Sequence, residues 1–76
     1  MAQRLAEHVG EEPISPRELD VLSLMAAGKR NKEIADELPI AEDTVKMHVR
    51  NIFSKLQVND RTEAVTIALR RGIIHL

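Results

Sequence analysis

Cysteine, tryptophan and tyrosine are absent from these 76 residues, and Phe53 is the single aromatic residue. Without cysteine the chain can form no disulfide, no thiolate zinc site and no cysteine nucleophile. The core must therefore be aliphatic. No apolar run approaches the roughly twenty residues that span a bilayer, and residues 1–12 lack the long apolar centre of a secretory signal. These absences predict a cytoplasmic protein with one small domain at most.

Groups that could perform catalysis are equally scarce. The three histidines, His8, His48 and His75, lie far apart in sequence and show no metal-ligand spacing. No serine–histidine pairing is visible, and a small helical domain leaves little room for a pocket. We therefore predict no enzyme, no catalytic residue, no metal or cofactor, and no small-molecule ligand.

The charges are segregated along the chain. Residues 1–43 carry ten acids and five bases, whereas residues 44–76 carry two acids and six bases. The net charge of −1 hides this difference. Such segregation is compatible with an anionic partner for the second half, although a charged stretch is more often a solvated face.

Capping signals predict the first two of four helices. Ser15, Pro16 and Glu18 form a capping box with proline at its favoured position, and Gly28 marks the end of that helix. The second helix is predicted to begin with Asn31 as its N-cap and to stop before Pro39, because the residue before proline avoids helical geometry.

The remaining elements complete an all-α class. A third helix is predicted over residues 42–56, and a fourth begins after an Asp60 cap and ends near Arg71, with Gly72 as its stop. A further short helix is predicted over residues 4–9, and residues 73–76 are expected to fold back onto the core. The second and third helices, joined by about three residues, have the outline of a helix-turn-helix.

The third helix has an apolar side and a basic side when it is turned by 100° per residue. Its apolar stripe consists of Val45, Val49, Ile52, Phe53 and Leu56. The opposite side carries Met47, Arg50, Asn51 and Ser54, with Lys46 and His48 on the flanks and Lys55 beyond His48. Cations, an amide and an apolar tip are the groups that read base edges. A surface that only keeps the domain soluble is the alternative.

A second basic cluster, Lys29, Arg30, Asn31 and Lys32, lies at the start of the second helix. Backbone N–H groups at a helix start attract phosphate, and nearby cations strengthen that attraction. Lys29 could instead complement the carboxyl end of the first helix.

The fourth helix has two apolar faces. Ala64, Ile67 and Ala68 are assigned to the core. A second face consists of Thr62, Val65, Thr66 and Leu69. This second face either widens the core-facing stripe or mediates self-association, since small helix-turn-helix proteins commonly bind two half-sites as dimers.

Residues 14–74 resemble the LuxR-type (NarL/FixJ) helix-turn-helix domain. The resemblance rests on residues 16–18, Gly28, residues 31–35, residues 44–46, His48, residues 55–56 and residues 61–64. It implies an all-α four-helix bundle whose third helix enters the major groove of double-stranded DNA. Carried over by position, Lys46, Met47 and Arg50 would read bases, and the fourth-helix face Thr62, Val65, Thr66 and Leu69 would form a homodimer. The predicted DNA-backbone contacts are Lys29, Arg30, Asn31, Lys32, Thr44, His48, Asn51 and Lys55.

The resemblance also implies a domain organisation. Residues 1–13 are interpreted as a linker and residues 14–76 as the DNA-binding domain, excised from a bacterial response regulator whose receiver domain is controlled by phosphorylation. RNA polymerase is a further candidate partner. A free-standing small regulator, a helical protein-interaction module and a promoter-binding region of a sigma factor are the alternatives.

Three positions depart from the family pattern. Pro39 stands where a small residue or glycine is usual, so the turn must close without a positive φ. Ala41 replaces a serine N-cap, whose loss typically costs about 1 kcal/mol. Gln57 replaces the glycine that ends the third helix, and a left-handed non-glycine residue costs roughly 1–2 kcal/mol.

Overall fold

The computed structural model describes residues 12–75, which form four helices and no strand. Helix α1 spans Pro16–Ala26, α2 Asn31–Glu37, α3 Glu42–Leu56 and α4 Arg61–Arg70. The predicted all-α class is confirmed, and the short helix predicted over residues 4–9 lies outside the described residues. Over the described part of the chain, no helix is both long enough and apolar enough to cross a membrane.

Helix α1 begins with the predicted capping box. The Glu18 amide donates to Ser15 Oγ at 3.2 Å, and the Ser15 amide donates to Glu18 Oε1 at 3.0 Å. At its other end, Gly28 adopts a φ of +87°, and the amides of Gly28 and Lys29 donate to the carbonyls of Met25 and Leu24. This is the glycine-terminated helix end that the sequence predicts.

The core is aliphatic and centred on α3, which packs against the other three helices. Val45 and Ile52 are fully buried on its inner side, and Leu56 is nearly so. They meet the buried residues of the other elements, which are Val21, Leu22, Met25, Ile34, Ala35, Ala64, Ala68 and Ile74. The prediction that the carboxyl-terminal tail folds back onto the core is confirmed for Ile73 and Ile74, whereas Leu76 lies outside the described residues.

The start of α2 differs from the prediction. Asn31 is the first helical residue rather than the N-cap, and the extended Arg30 occupies the cap position. Because an arginine side chain has no acceptor, it cannot cap the helix itself. The Glu33 carboxylate instead accepts the Arg30 amide at 2.7 Å. The Asn31 side chain is thereby left available for a different contact.

The turn between α2 and α3 closes across Pro39 by a single backbone bond. The Ile40 amide donates to the Ala35 carbonyl at 3.0 Å. The proline lacks an N–H for the second bond of the usual helix end. Among residues 12–75 a positive φ occurs at Gly28, Gln57 and Gly72 alone, so this turn closes without one, as predicted.

The two other departures from the family pattern lie at the two ends of helix α3. Ala41 is the N-cap and makes no side-chain bond. Gln57 adopts a left-handed conformation with φ 57° and ψ 48°. The amide of Val58 then donates to the Phe53 carbonyl at 3.0 Å. The helix therefore ends with the geometry of a glycine stop while using a glutamine.

Helix α4 starts at the predicted cap. The Glu63 amide donates to Asp60 Oδ1 at 2.9 Å, and Glu63 Oε1 accepts the Asn59 amide at 2.8 Å. Gly72, with a φ of +71°, ends the helical segment. The amide of Ile73 donates to the Ala68 carbonyl at 2.8 Å, so local hydrogen bonds fix both ends of α4.

Candidate nucleic-acid interface

The outer face of α3 presents the residues predicted to read bases. Lys46, Met47, Arg50 and Asn51 are all exposed. Met47 has 44% of its surface accessible, which is unusual for a large apolar side chain in this small domain. Residues 44–56 contain no carboxylate. The structure therefore brings cations, an amide and an apolar tip together on one free helix face.

Thr44 and His48 lie on the flanks of that face and are half-buried. The Nδ1 atom of His48 is buried and has no hydrogen-bond partner among the described residues. A phosphate contact from His48 would therefore have to use Nε2, the other ring nitrogen.

The basic segment, residues 29–32, joins α1 to α2. Arg30 and Lys32 are exposed. The Lys29 ammonium lies 3.5 Å from the Glu37 carboxylate, and both side chains are more than 40% exposed. Such a surface pair is weak, so Lys29 remains available to a stronger anion. Asn31 is half-buried at the start of α2.

Arg61, the first residue of α4, donates two hydrogen bonds to the basic segment. Its Nη1 donates to Asn31 Oδ1 at 3.0 Å, and its Nη2 donates to the Lys29 carbonyl. Burial lowers the pKa of Arg61, although a guanidinium stays charged at any ordinary pH. Sequence reasoning treated this position as part of a helix start and gave it no role. Its only signal was its place in the family motif.

Lys55, predicted to meet the DNA backbone, has two partners inside the domain. Its Nζ lies 2.7 Å from Glu18 Oε1 and donates to the Pro13 carbonyl at 3.2 Å. Burial pushes the pKa of Glu18 up, but the hydrogen bonds from Lys55 and Ser15 and the Lys55 charge together outweigh it, so the pKa is lowered. Any contact between Lys55 and phosphate would compete with this ion pair.

The predicted dimer face of α4 is partly open. Thr62 and Thr66 are exposed, whereas Val65 and Leu69 are half-buried and pack against the core. Ala64 and Ala68, on the opposite side, are fully buried as predicted, and Ile67 is half-buried. Within the described residues, the face of α4 that carries both threonine and apolar side chains therefore remains partly accessible.

Comparison with known proteins identifies the family of this helix-turn-helix. Residues 12–68 match the pattern of the bacterial regulatory proteins of the luxR family. The chain belongs to this family. As a luxR-family domain, it is a DNA-binding, transcription-regulating helix-turn-helix, and the predicted family and its DNA-binding role are confirmed.

Several relatives of this luxR-family domain are longer proteins. It is 51% identical over 63 residues to the uncharacterized transcriptional regulatory protein YxjL of Bacillus subtilis, covering 83% of this chain and 29% of that protein. It is 48% identical over 73 residues to the transcriptional regulatory protein LiaR of Bacillus subtilis, covering 90% and 35%. The response regulator protein VraR of Staphylococcus aureus is 48% identical over 63 residues, covering 83% and 30%.

A solved structure agrees with the fold of the luxR-family domain. The crystal structure of the response regulator ChrA, in a heme-sensing two-component system, superposes with a TM-score of 0.80 at 40% identity. The match covers 83% of this chain and 31% of that one. This chain thus spans about a third of the length of the proteins it matches.

Proposed function

We propose that this domain binds a specific DNA sequence by placing α3 in the major groove. The observation that carries the proposal is the exposed basic face of α3 beyond its acidic first turn, which the fully buried Val45 and Ile52 fix to the core. Arg50 and Lys46 are suited to guanine, and Met47 to a thymine methyl. A helix anchored along its whole inner side presents these groups in one fixed geometry.

Phosphate contacts set the register of α3 on the duplex. In this proposal the exposed Arg30 and Lys32, together with Lys29 and Asn31, hold one phosphate strand. Thr44, His48 and Asn51 flank the base-reading face and hold the backbone on either side of the groove. Lys55 joins them to the extent that it can leave its pair with Glu18.

The proposal includes a homodimer formed through α4. Thr62, Val65, Thr66 and Leu69 supply the contact, which would place two copies of α3 on two half-sites of one operator. The partly accessible face of α4 supports this arrangement.

The whole protein is proposed to be a response regulator. Two of its relatives bear that description in their names, and this chain corresponds to about a third of their length. Phosphorylation of a receiver domain would then control the DNA-binding domain, and RNA polymerase would be contacted at the promoter. Such a protein acts in the bacterial cytoplasm. The DNA-binding domain needs no cofactor or small-molecule ligand for this role and performs no catalysis.

Two substitutions test the assignment of base-reading and phosphate-binding residues. A duplex is first selected from a random pool with this chain, and binding is then followed by fluorescence anisotropy. Arg50→Ala should cost about 1–3 kcal/mol and relax the preference at one base pair. Lys32→Ala should weaken binding to all duplexes alike and reduce the slope of log affinity against log salt by about one.

Arg17→Ala is the matched control for these variants. Arg17 is an exposed arginine on α1, paired with Asp20 at 3.4 Å, and it lies outside the proposed interface. Its removal should leave the base preference unchanged. The slope of log affinity against log salt should change by less than the amount expected for one phosphate contact. An Arg50→Ala protein that loses affinity equally for every duplex would disprove the base-reading role. Salt-independent binding of wild type would favour a protein-interaction module.

The dimer is tested by placing a negative charge on the exposed part of the α4 face. Thr66→Asp should abolish dimers in sedimentation with the selected duplex, because like charges would face one another across the two-fold contact. Ser23→Asp introduces the same charge at an exposed position of α1 and should leave the dimer intact. Dimers that persist in Thr66→Asp would remove α4 from the interface.

A further inference from the structure

Arg61 connects two helices that do not pack against each other. Within residues 12–75, α2 and α4 share no backbone packing, although each contacts α1 and α3. The Arg61 guanidinium nevertheless reaches from the first residue of α4 to Asn31, the first residue of α2, and to the Lys29 carbonyl. The two acceptors lie on either side of Arg30 in the sequence. Both belong to the basic segment, which carries the proposed phosphate contacts.

Local hydrogen bonds and one distant residue together fix the geometry of the basic segment. Lys29 and Arg30 belong to neither helix. Their amides are held locally by the Leu24 carbonyl and the Glu33 carboxylate. Arg61 supplies a bond to the Lys29 carbonyl and a bond to the Asn31 side chain from a distant part of the chain. A planar guanidinium donates in a rigid fork, so it fixes the spacing between its two acceptors.

We propose that Arg61 is a positioning residue for DNA binding, which acts by holding the basic segment so that Arg30 and Lys32 meet the phosphates together. This inference rests on the proposed function. Arg61 uses two of its donors for hydrogen bonds within the domain. Its effect on DNA binding is therefore indirect and depends on residues 29–32. Its removal should therefore loosen phosphate contacts without changing which bases are preferred.

The test replaces Arg61 with methionine, which keeps an unbranched stem but has no donor. At about 0.1 M salt, the affinity for the selected duplex should fall about tenfold for each phosphate that the protein no longer neutralises. The slope of log affinity against log salt should flatten by about one, and the ranking of single-base variants of the duplex should stay the same. Arg61→Lys keeps the charge and places its donors on one nitrogen without the planar fork, so it should recover part of the affinity.

Arg70→Met is the matched control, since Arg70 is an exposed arginine at the other end of α4. It removes the same charge without touching the basic segment and should leave the salt slope unchanged. Circular dichroism establishes that each variant is folded at the assay temperature. If Arg61→Met does not fold, Arg61→Lys alone carries the comparison with Arg70→Met.

A double-mutant cycle with Lys32→Ala separates positioning from a direct phosphate contact. If Arg61 acts through the basic segment, the effect of Arg61→Met on affinity should shrink by at least half when Lys32 is already alanine. Fully additive effects, an unchanged salt slope, or an equal effect of Arg70→Met would each overturn the proposal. Wild-type binding that does not depend on salt would instead overturn the proposed function itself.

Discussion

Replacing Lys55 with methionine should destabilise the domain strongly, because it leaves the Glu18 carboxylate buried without its cation. Glu18 is 4% exposed and the Lys55 side chain 18% exposed, with 2.7 Å between the paired atoms. Removing one partner of a buried pair typically costs about 3–5 kcal/mol. Here Glu18 keeps its bond from the Ser15 amide, at 3.0 Å. We therefore expect a decrease near the lower end, about 3 kcal/mol of unfolding free energy.

Urea unfolding followed by circular dichroism measures this decrease at pH 7. The set comprises wild type, Lys55→Met, Glu18→Gln and the double variant. A coupling energy of about 2 kcal/mol is expected for the buried pair, whereas exposed pairs give less than about 1 kcal/mol. A matching cycle of Arg17→Met with Asp20→Asn, which breaks an exposed pair, is the control for the second case.

The pH dependence supplies an independent check on the same pair. The pKa of Glu18 lies below its ordinary value of 4.5. Its contribution to stability is therefore complete above about pH 4.5 and is lost as the pH falls through the lower pKa of the folded state. The coupling should fade over that acidic range. A coupling below about 0.5 kcal/mol at pH 7, or one unchanged at low pH, would refute a stabilising ion pair between Lys55 and Glu18.

Two further changes should stabilise the domain. Gln57→Gly relieves a left-handed glutamine and should raise the unfolding free energy by about 1 kcal/mol, a Tm increase of roughly 4–8 °C in calorimetry; an unchanged Tm would mean that Gln57 is not strained. Ala41→Ser should add about 1 kcal/mol, since Ala41 is exposed and has the extended backbone of an N-cap residue. Equal stability of Ala41→Ser and Ala41→Val in urea would contradict this capping argument.

Local signals in the sequence predicted the helices well. The apolar stripe of α3 placed Val45, Ile52 and Leu56 in the core, because helical periodicity alone decides which side of a helix is buried. The bounds of α3 followed from local signals at the helix ends, whereas the left-handed Gln57 was expected from the glycine that the family has at this position. Each of these features depends on residues within a few positions of one another.

Contacts between distant residues were not predictable in the same way. The pair of Lys55 with Glu18 joins residues 37 apart, and the Arg61–Asn31 bond joins residues 30 apart. No spacing rule reveals which cation meets which acceptor once four helices have packed. The error at Asn31 has the same origin: its side chain, a good N-cap by propensity, is instead an acceptor for Arg61.

The most direct test of DNA recognition by α3 is the affinity for the selected duplex at two salt concentrations, measured for wild type and Arg50→Ala. Steep salt dependence is expected for both proteins, because phosphate contacts release counterions. Arg50→Ala should lose discrimination at one base pair while wild type retains it. Flat salt dependence, or equal discrimination by the two proteins at every base pair, would contradict the placement of α3 in the major groove.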